Sequence, residues 1–284
     1  MIKVRYLVKA SFKAIFKGFQ IILNFFAKHT GVLYSFERSS SRNEIENFFL
    51  LFRPYENGVE LIRIGGTHDG GYLVPNDMSE ITHCLSPGVG SSWDFETELA
   101  ERFNISSWMI DDTVTPPQNL NSLLHFNSVR VGLEDEPGRA ITLDGWVSKI
   151  GVKNSQEFLL QMDIESHEWL ALLSTSRETL KRFRILVVEF HSLPLSRIPY
   201  ILERIYLPTM RKILLDFDVV HVHPNNSVGT FSHFGTPYPD TLEVTFHRKD
   251  RARQILISKS SMNQLDNPCD PHLPELSIDH LFQA

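Results

Sequence analysis

Carboxylates and imidazoles recur at one kind of place along this chain of 284 residues: directly after a short apolar run. Phe158–Met162 leads into Asp163-Ile164-Glu165-Ser166-His167-Glu168, and Ile185–Phe190 carries Glu189 at its end with His191 next. A third run, Val219–Val222, brings His221 and then His223-Pro224-Asn225-Asn226. Alternate residues of a strand share a face, so Glu189 points with His191, and His221 with His223. Asp163, Glu189, His191 and His223 are therefore expected to converge on one side of a cleft. Carboxylates and imidazoles together can hold a divalent metal or take up a proton. With 12 histidines in the chain, any single one is more readily an ordinary core or surface residue. It is their repetition at successive strand ends that points to chemistry.

A second pattern concerns a ligand. Ile81–Leu85 ends in Ser86-Pro87-Gly88-Val89-Gly90, then enters a helix through Ser91, Ser92 and Asp94. Glycines at a strand-to-helix turn let a ligand come close to the backbone. Asp111-Asp112 ends the next strand, 23 positions beyond Gly88, where an acid can accept the hydroxyls of a ribose. A dinucleotide site wants a third glycine, G-x-G-x-x-G, but Trp93 stands there, and no G-x-x-x-x-G-K loop occurs. S-adenosylmethionine has adenosine and a sulfonium cation without phosphate. The acids Asp94, Glu96, Asp111 and Asp112 suit such a cation better than a pyrophosphate.

The elements that must place these residues alternate short apolar runs with helical segments, the rhythm of an α/β sheet. Strands are predicted over Ile81–Leu85, Ser107–Ile110, Ser128–Val131, Phe158–Met162, Ile185–Phe190, Val219–His223 and Leu242–Phe246. Helices are predicted over Trp93–Phe103, Leu143–Ile150, Glu168–Leu173, Glu178–Arg182 and Ile198–Leu215, the last broken at Pro208. In open α/β sheets ligands sit outside the carboxyl ends of the strands, which is where the polar residues fall.

Before the body lies a different segment. Residues 1–36 hold Lys3, Arg5, Lys9, Lys13, Lys17 and Lys28 and no acid, with Phe, Ile and Leu between them at helical spacing. Such a basic amphipathic arm suits an anionic membrane surface; a helix packed on the body or on a partner, and a targeting segment, are the alternatives. Ser39-Ser40-Ser41-Arg42-Asn43 reads as a polar hinge, residues 37–60 as linker and leading helix, and 61–257 as the main domain. The tail, 258–284, carries Pro268, Pro271 and Pro274 and is expected to wrap the body in extended form. Hydrophobic residues make up 42% and charged residues 22%, enough for a packed core. Two cysteines exclude a disulfide scaffold, and a net charge of -6 argues against nucleic acid as a partner. No apolar run is long enough for an ordinary membrane-spanning helix, so a cytoplasmic protein, peripheral at most to a membrane, is expected.

The ordered motifs resemble those of the FkbM-type, S-adenosylmethionine-dependent methyltransferases. The matching stretches are Arg63-Ile64-Gly65-Gly66-Thr67-His68-Asp69-Gly70-Gly71-Tyr72-Leu73-Val74-Pro75, Ser86–Gly90, Thr142-Leu143-Asp144-Gly145-Trp146, Gln161–Glu165, Val188–His191 and His223–Asn226. They cover roughly residues 60–275. The resemblance implies a Rossmann-like class I methyltransferase fold: a seven-stranded, mostly parallel sheet with helices on both faces and one reversed strand near its edge. It implies S-adenosyl-L-methionine on Asp69, Gly88, Gly90, Asp111 and Asp112, and methyl transfer to a hydroxyl of a small-molecule or glycan acceptor. The chain departs from the family at Ser166-His167, where Asp-Ile-Glu is commonly followed by Gly-Ala, and the turn after Glu165 is expected to differ.

In the expected reaction the acceptor oxygen attacks the methyl carbon in line with the departing sulfur, so orientation matters most. His191 is the first choice as base and Asp163 the second, with Glu165 beside them; were a metal present, Asp163 and Glu189 would be its ligands. Two other readings are a non-catalytic scaffold at a membrane surface and a nicotinamide-dependent oxidoreductase, the latter disfavoured by Trp93.

Overall fold

A computed structural model describes residues 39–116, 120–150, 156–258 and 260–283. The basic arm read over residues 1–36 lies outside the described residues. The first element, α1 (Arg42–Phe49), is set by a capping box: the Ser41 hydroxyl accepts from the Glu44 amide, and the Glu44 carboxylate accepts from the Ser41 amide at 2.6 Å. Ser40 is fully buried, its hydroxyl donating to the Ser196 carbonyl at 2.8 Å. The serines expected to form a hinge are thus an anchored helix start.

An antiparallel hairpin, β1 (Leu61–Gly65) and β2 (Gly71–Pro75), precedes the central sheet. The sheet strands are β3 (Ile81–Pro87), β4 (Ser106–Ile110), β5 (Leu124–Asn127), β6 (Glu157–Met162), β7 (Phe183–Phe190) and β8 (Phe217–Pro224). A second hairpin, β9 (Thr230–His233) with β10 (Thr236–Pro239), then leads to the last sheet strand, β11 (Leu242–Arg248). The seven strands lie in the order β8-β11-β7-β6-β3-β4-β5. All neighbouring pairs are parallel except those of β11, which runs antiparallel to both β7 and β8. The expected sheet of seven mostly parallel strands, with one reversed next to an edge, is what forms.

Burial follows from strand alternation. All eight residues of β7 are buried; Leu186, Val188 and Phe190 join one apolar cluster, Ile185 and Val187 the other. On the first face pack α1, α3 (Leu143–Ile150) and α4 (Glu168–Ser174), through Phe48, Trp146 and Trp169. On the second, α2 (Asp94–Phe103) contributes Phe95 and Leu99 beside Tyr72 of β2. Helices therefore cover both faces, as strands so uniformly apolar require.

Two predicted elements differ. Ser128–Val131 was expected as the third strand, but the sheet takes Leu124–Asn127, registered Ser107 to Leu124 through Ile110 to Asn127. Leu124 is held there by the cluster of Val89, Ala100 and Met109, while Arg130–Val131 pairs with Ala140–Ile141. The helix over 198–215 does not break at Pro208. It continues through a π-helical turn, Leu202–Tyr206, into Leu207–Ile213, and this wider turn just before the proline accommodates a residue with no N–H.

Candidate active site

The hairpin motif of Arg63 to Tyr72 positions Asp69. Gly71 lies so close to the Gly66 carbonyl that a Cβ would stand 1.8 Å from it, and the Arg63 guanidinium donates to the carbonyls of Gly66 and Thr67 at 3.0 and 2.9 Å. The clamped turn carries Asp69 to the carboxyl edge of the sheet.

At the end of β3, Gly88 and Gly90 have different roles. Gly88 has φ +81°, and a Cβ there would lie 1.6 Å from the Asp163 carbonyl oxygen. What comes close to Gly88 is thus the backbone at the end of β6. A Cβ on Gly90, φ +57°, would meet nothing within 4 Å. The Gly90 amide donates to Asp111 Oδ2 at 3.0 Å, while Asp111 Oδ1 accepts from the amide and hydroxyl of Thr113 at 2.7 and 2.6 Å. Asp111 therefore ties the glycine loop to the end of β4 and retains about one of its roughly four acceptor positions for a ligand. Asp112 is exposed and 3.6 Å from Arg130.

These residues line a cavity of about 330 Å³ bordered by Gly88, Gly90, Asp111, Asp112, Asp163 and Glu165. A second, of about 220 Å³, shares Gly88, Gly90 and Asp163 with it and adds Asp69, Tyr72 and Glu96. The first lies in the size range of small-molecule sites. Beneath the second, the Ser86 hydroxyl sits against both Glu96 Oε1 and Gln161 Oε1, the latter at 2.6 Å. One hydroxyl proton cannot serve two acceptors, so Ser86 donates to one of them at a time. Burial pushes Glu96 up to about 7, against the opposing pull of the Ser86 hydrogen bond.

Asp163, Glu189 and His191 converge as expected, each offering one ligand atom within 4.8 Å of the others. The Nδ1 of His191 faces Glu168 Oε1 at 3.1 Å, and the same oxygen accepts from the amides of Ile164 and Ser166 at 3.0 and 3.2 Å. That leaves Nε2 facing Asp163 Oδ1, Glu165 Oε2 and Glu189 Oε1 at 3.8, 3.6 and 3.6 Å. Burial disfavours the charged ring, but Glu168, Asp163 and Glu165 outweigh it, and the His191 pKa is raised. Asp163 is pushed up to about 7, first by burial and then, against the pull of His191, by Glu165, Glu168 and Asp69. Glu189 is raised well above the carboxylate range by burial, Asp163 and Glu243.

His223 does not join this group directly. Its Nδ1 meets Glu243 at 3.0 Å and its Nε2 meets Glu275 of the tail at 2.7 Å. Registry explains the arrangement: reversed β11 places Glu243 opposite Glu189 on one side and His223 on the other. Asn225 donates to Glu189 Oε1 at 2.8 Å, and Asn226 holds the tail through the carbonyls of Asp270 and Leu273 at 2.9 and 3.2 Å.

Glu168 and Glu243 are the site residues that sequence reasoning missed. Glu168 stands in the same acidic stretch as Asp163, but its fully buried side chain shows only in the fold. Glu243 is the second residue of a correctly predicted strand; the missing signal was that this strand is the reversed one, which brings its first residues to the site. The turn after β6 has left-handed backbone at two residues, Glu165 at φ +52° and Ser166 at φ +80°. No model of a known protein family matches the chain, and a search of curated proteins finds none that matches it.

Proposed function

We propose that the chain is an S-adenosylmethionine-dependent O-methyltransferase of the FkbM type, with a class I methyltransferase fold, acting on a hydroxyl of a sugar or glycan precursor. The observation that carries this reading is a shared wall. The cavity between the glycine loop and the acids after β4 is closed on its other side by Asp163 and Glu165, which face His191. A ligand held there thus adjoins a carboxylate–imidazole cluster suited to receive a proton. The reversed strand beside the sheet edge also agrees with the fold that the motifs imply.

Bound there, S-adenosylmethionine supplies an electrophilic methyl group on a sulfonium. The chain's residues do the rest. Asp111 fixes the glycine loop and keeps an acceptor position for a ribose hydroxyl. The acids of the cavity favour a cationic ligand over an anionic one, and the first turn of α2, which opens with Asp94, is poorly suited to phosphate. His191, its Nδ1 committed to Glu168, presents Nε2 toward the acceptor side and takes the hydroxyl proton, with Asp163 as the second acceptor.

Calorimetric titration of S-adenosylhomocysteine into the full chain tests this. Saturable binding is expected, weakened at least tenfold by Asp111→Ala. His191→Ala is expected to bind like wild type but transfer methyl groups roughly 10²–10⁴-fold more slowly to a saccharide acceptor. Absence of binding to folded wild-type protein would overturn the cofactor assignment.

A further inference from the structure

The cluster at the ends of β6 and β7 has an electrostatic problem that hydrogen bonding does not solve. Glu189 has a side chain 3% exposed, and its Oε2 is buried without a hydrogen-bond partner, as is Asp163 Oδ1. A buried, unpartnered carboxylate oxygen costs far more than a satisfied one. Glu189 also faces Glu243 directly across the strand pair, and like charges in that position repel. Among the described residues, the ion pairs of Asp163 and Glu189 run only to His191.

The neighbouring group of His223, Glu243 and Cys269 is a useful contrast. Its atoms also lie within 4.8 Å of one another, but they are spoken for. Glu243 accepts from His223 and from the Cys269 thiol at 3.0 and 3.3 Å, and the other ring nitrogen of His223 is held by Glu275 at 2.7 Å. That group is a closed hydrogen-bond network and asks for no ligand.

We infer that Asp163, Glu189 and His191 form a binding site for one divalent metal ion. The free nitrogen of His191 stands 3.6–3.8 Å from the carboxylate oxygens of Glu189 and Asp163. That is long for a hydrogen bond, but two atoms ligating one ion at about 2.1–2.3 Å stand roughly 3.0–3.8 Å apart. Glu168 supplies the outer partner that ligating histidines usually have, holding Nδ1 so that Nε2 is turned to the ion. Two carboxylates and a neutral imidazole balance a charge of two. One nitrogen with two or more oxygens suits an ion of intermediate hardness, and Mn²⁺ is the appropriate probe. Asp163 lines both cavities, which gives the ion a way in.

Cation binding does not depend on the methyltransferase reading. Its consequence for catalysis does: with the ion in place His191 is a ligand, the ion favours loss of the acceptor hydroxyl's proton, and exposed Glu165 is the remaining group to receive it.

The test is electron paramagnetic resonance of free Mn²⁺ titrated into the full chain after dialysis against a chelator, with thermal melting alongside. One Mn²⁺ per chain is expected, and a raised melting temperature in its presence. Glu189→Gln should weaken binding at least tenfold and, by removing an unpartnered buried carboxylate, should melt higher than wild type without metal. A merely structural glutamate would not produce these opposite effects. Asp163→Asn, whose side chain is more exposed, provides a second variant with the same expected loss of Mn²⁺. No saturable binding to folded wild type at millimolar Mn²⁺, or undiminished binding by the variants that fold, would overturn the site. S-adenosylhomocysteine titrated into the same sample separates the two proposals, since its binding without Mn²⁺ binding leaves the cofactor assignment standing.

Discussion

Ser166 shows how a single residue can retain a conformation that its side chain disfavours. At φ +80° it occupies left-handed backbone, which costs a residue with a Cβ roughly 1–2 kcal/mol. Its hydroxyl recovers part of this through Ser192 Oγ at 2.6 Å, in an exposed position. The strained turn aims the Ser166 amide at Glu168, and so helps fix the carboxylate that orients His191. Ser166→Gly is therefore expected to stabilise the fold by about 1 kcal/mol, seen as a higher urea midpoint; a lower midpoint would show that the Ser192 contact outweighs the strain. The Asp-Ile-Glu-Ser-His-Glu stretch announced a strand end with carboxylates. Which of its four acidic and imidazole side chains would be buried against His191 was decided by the packing of α4.

Among elements, the junction of β3 with β6 is the one on which the site rests. Gly88 is required there because the Asp163 backbone occupies the space of a side chain. Gly88→Ala should cost several kcal/mol, on the order of 4, whereas Gly90→Ala, facing open space, should cost about 1. Urea denaturation of both variants checks this, and equal losses would contradict the geometry. The tail gives a second, pH-dependent prediction. Burial alone would lower the His223 pKa, but Glu243, with Asp266 and Glu275, lifts it from 6.5 to about 9. A folded-state value above the unfolded one means that stabilisation is complete below about pH 6.5 and is lost as pH rises through about 9. Unfolding free energy should fall by on the order of 3 kcal/mol across that window, at about 1.4 kcal/mol per unit, and His223→Gln should remove this alkaline slope. An unchanged slope in the variant would assign it elsewhere.

For the whole molecule, the sheet topology concentrates polar chemistry at one edge while the opposite edge is occupied by salt bridges. At that far edge Arg184, 1% exposed, pairs with Asp77 at 3.2 Å and with Glu157. Among the described residues, no helix is long and apolar enough to cross a membrane. The basic segment read in residues 1–36 as a membrane-surface arm lies outside the described residues. The full chain is expected to float with vesicles containing anionic lipid, and the chain lacking residues 1–36 is not. Equal flotation of the two would reject the arm as an anchor.

The sequence by itself determined the alternation of strands and helices and the placing of Asp163, Glu189 and His191 at strand ends, because apolar periodicity and strand alternation are local properties. It also located Gly88 and Asp111. Only the tertiary structure decided that Gly88, besides bordering the cavity, makes room for the backbone that follows β6, since a close approach between distant segments leaves no local trace. The same holds for β5, where Leu124 won over the more strand-like Ser128–Val131 because it fills the cluster with Met109. Glu243 is the clearest case. Its strand was legible, but strand direction is fixed by which neighbours complete the sheet, and only the reversal of β11 carries that carboxylate between Glu189 and His223.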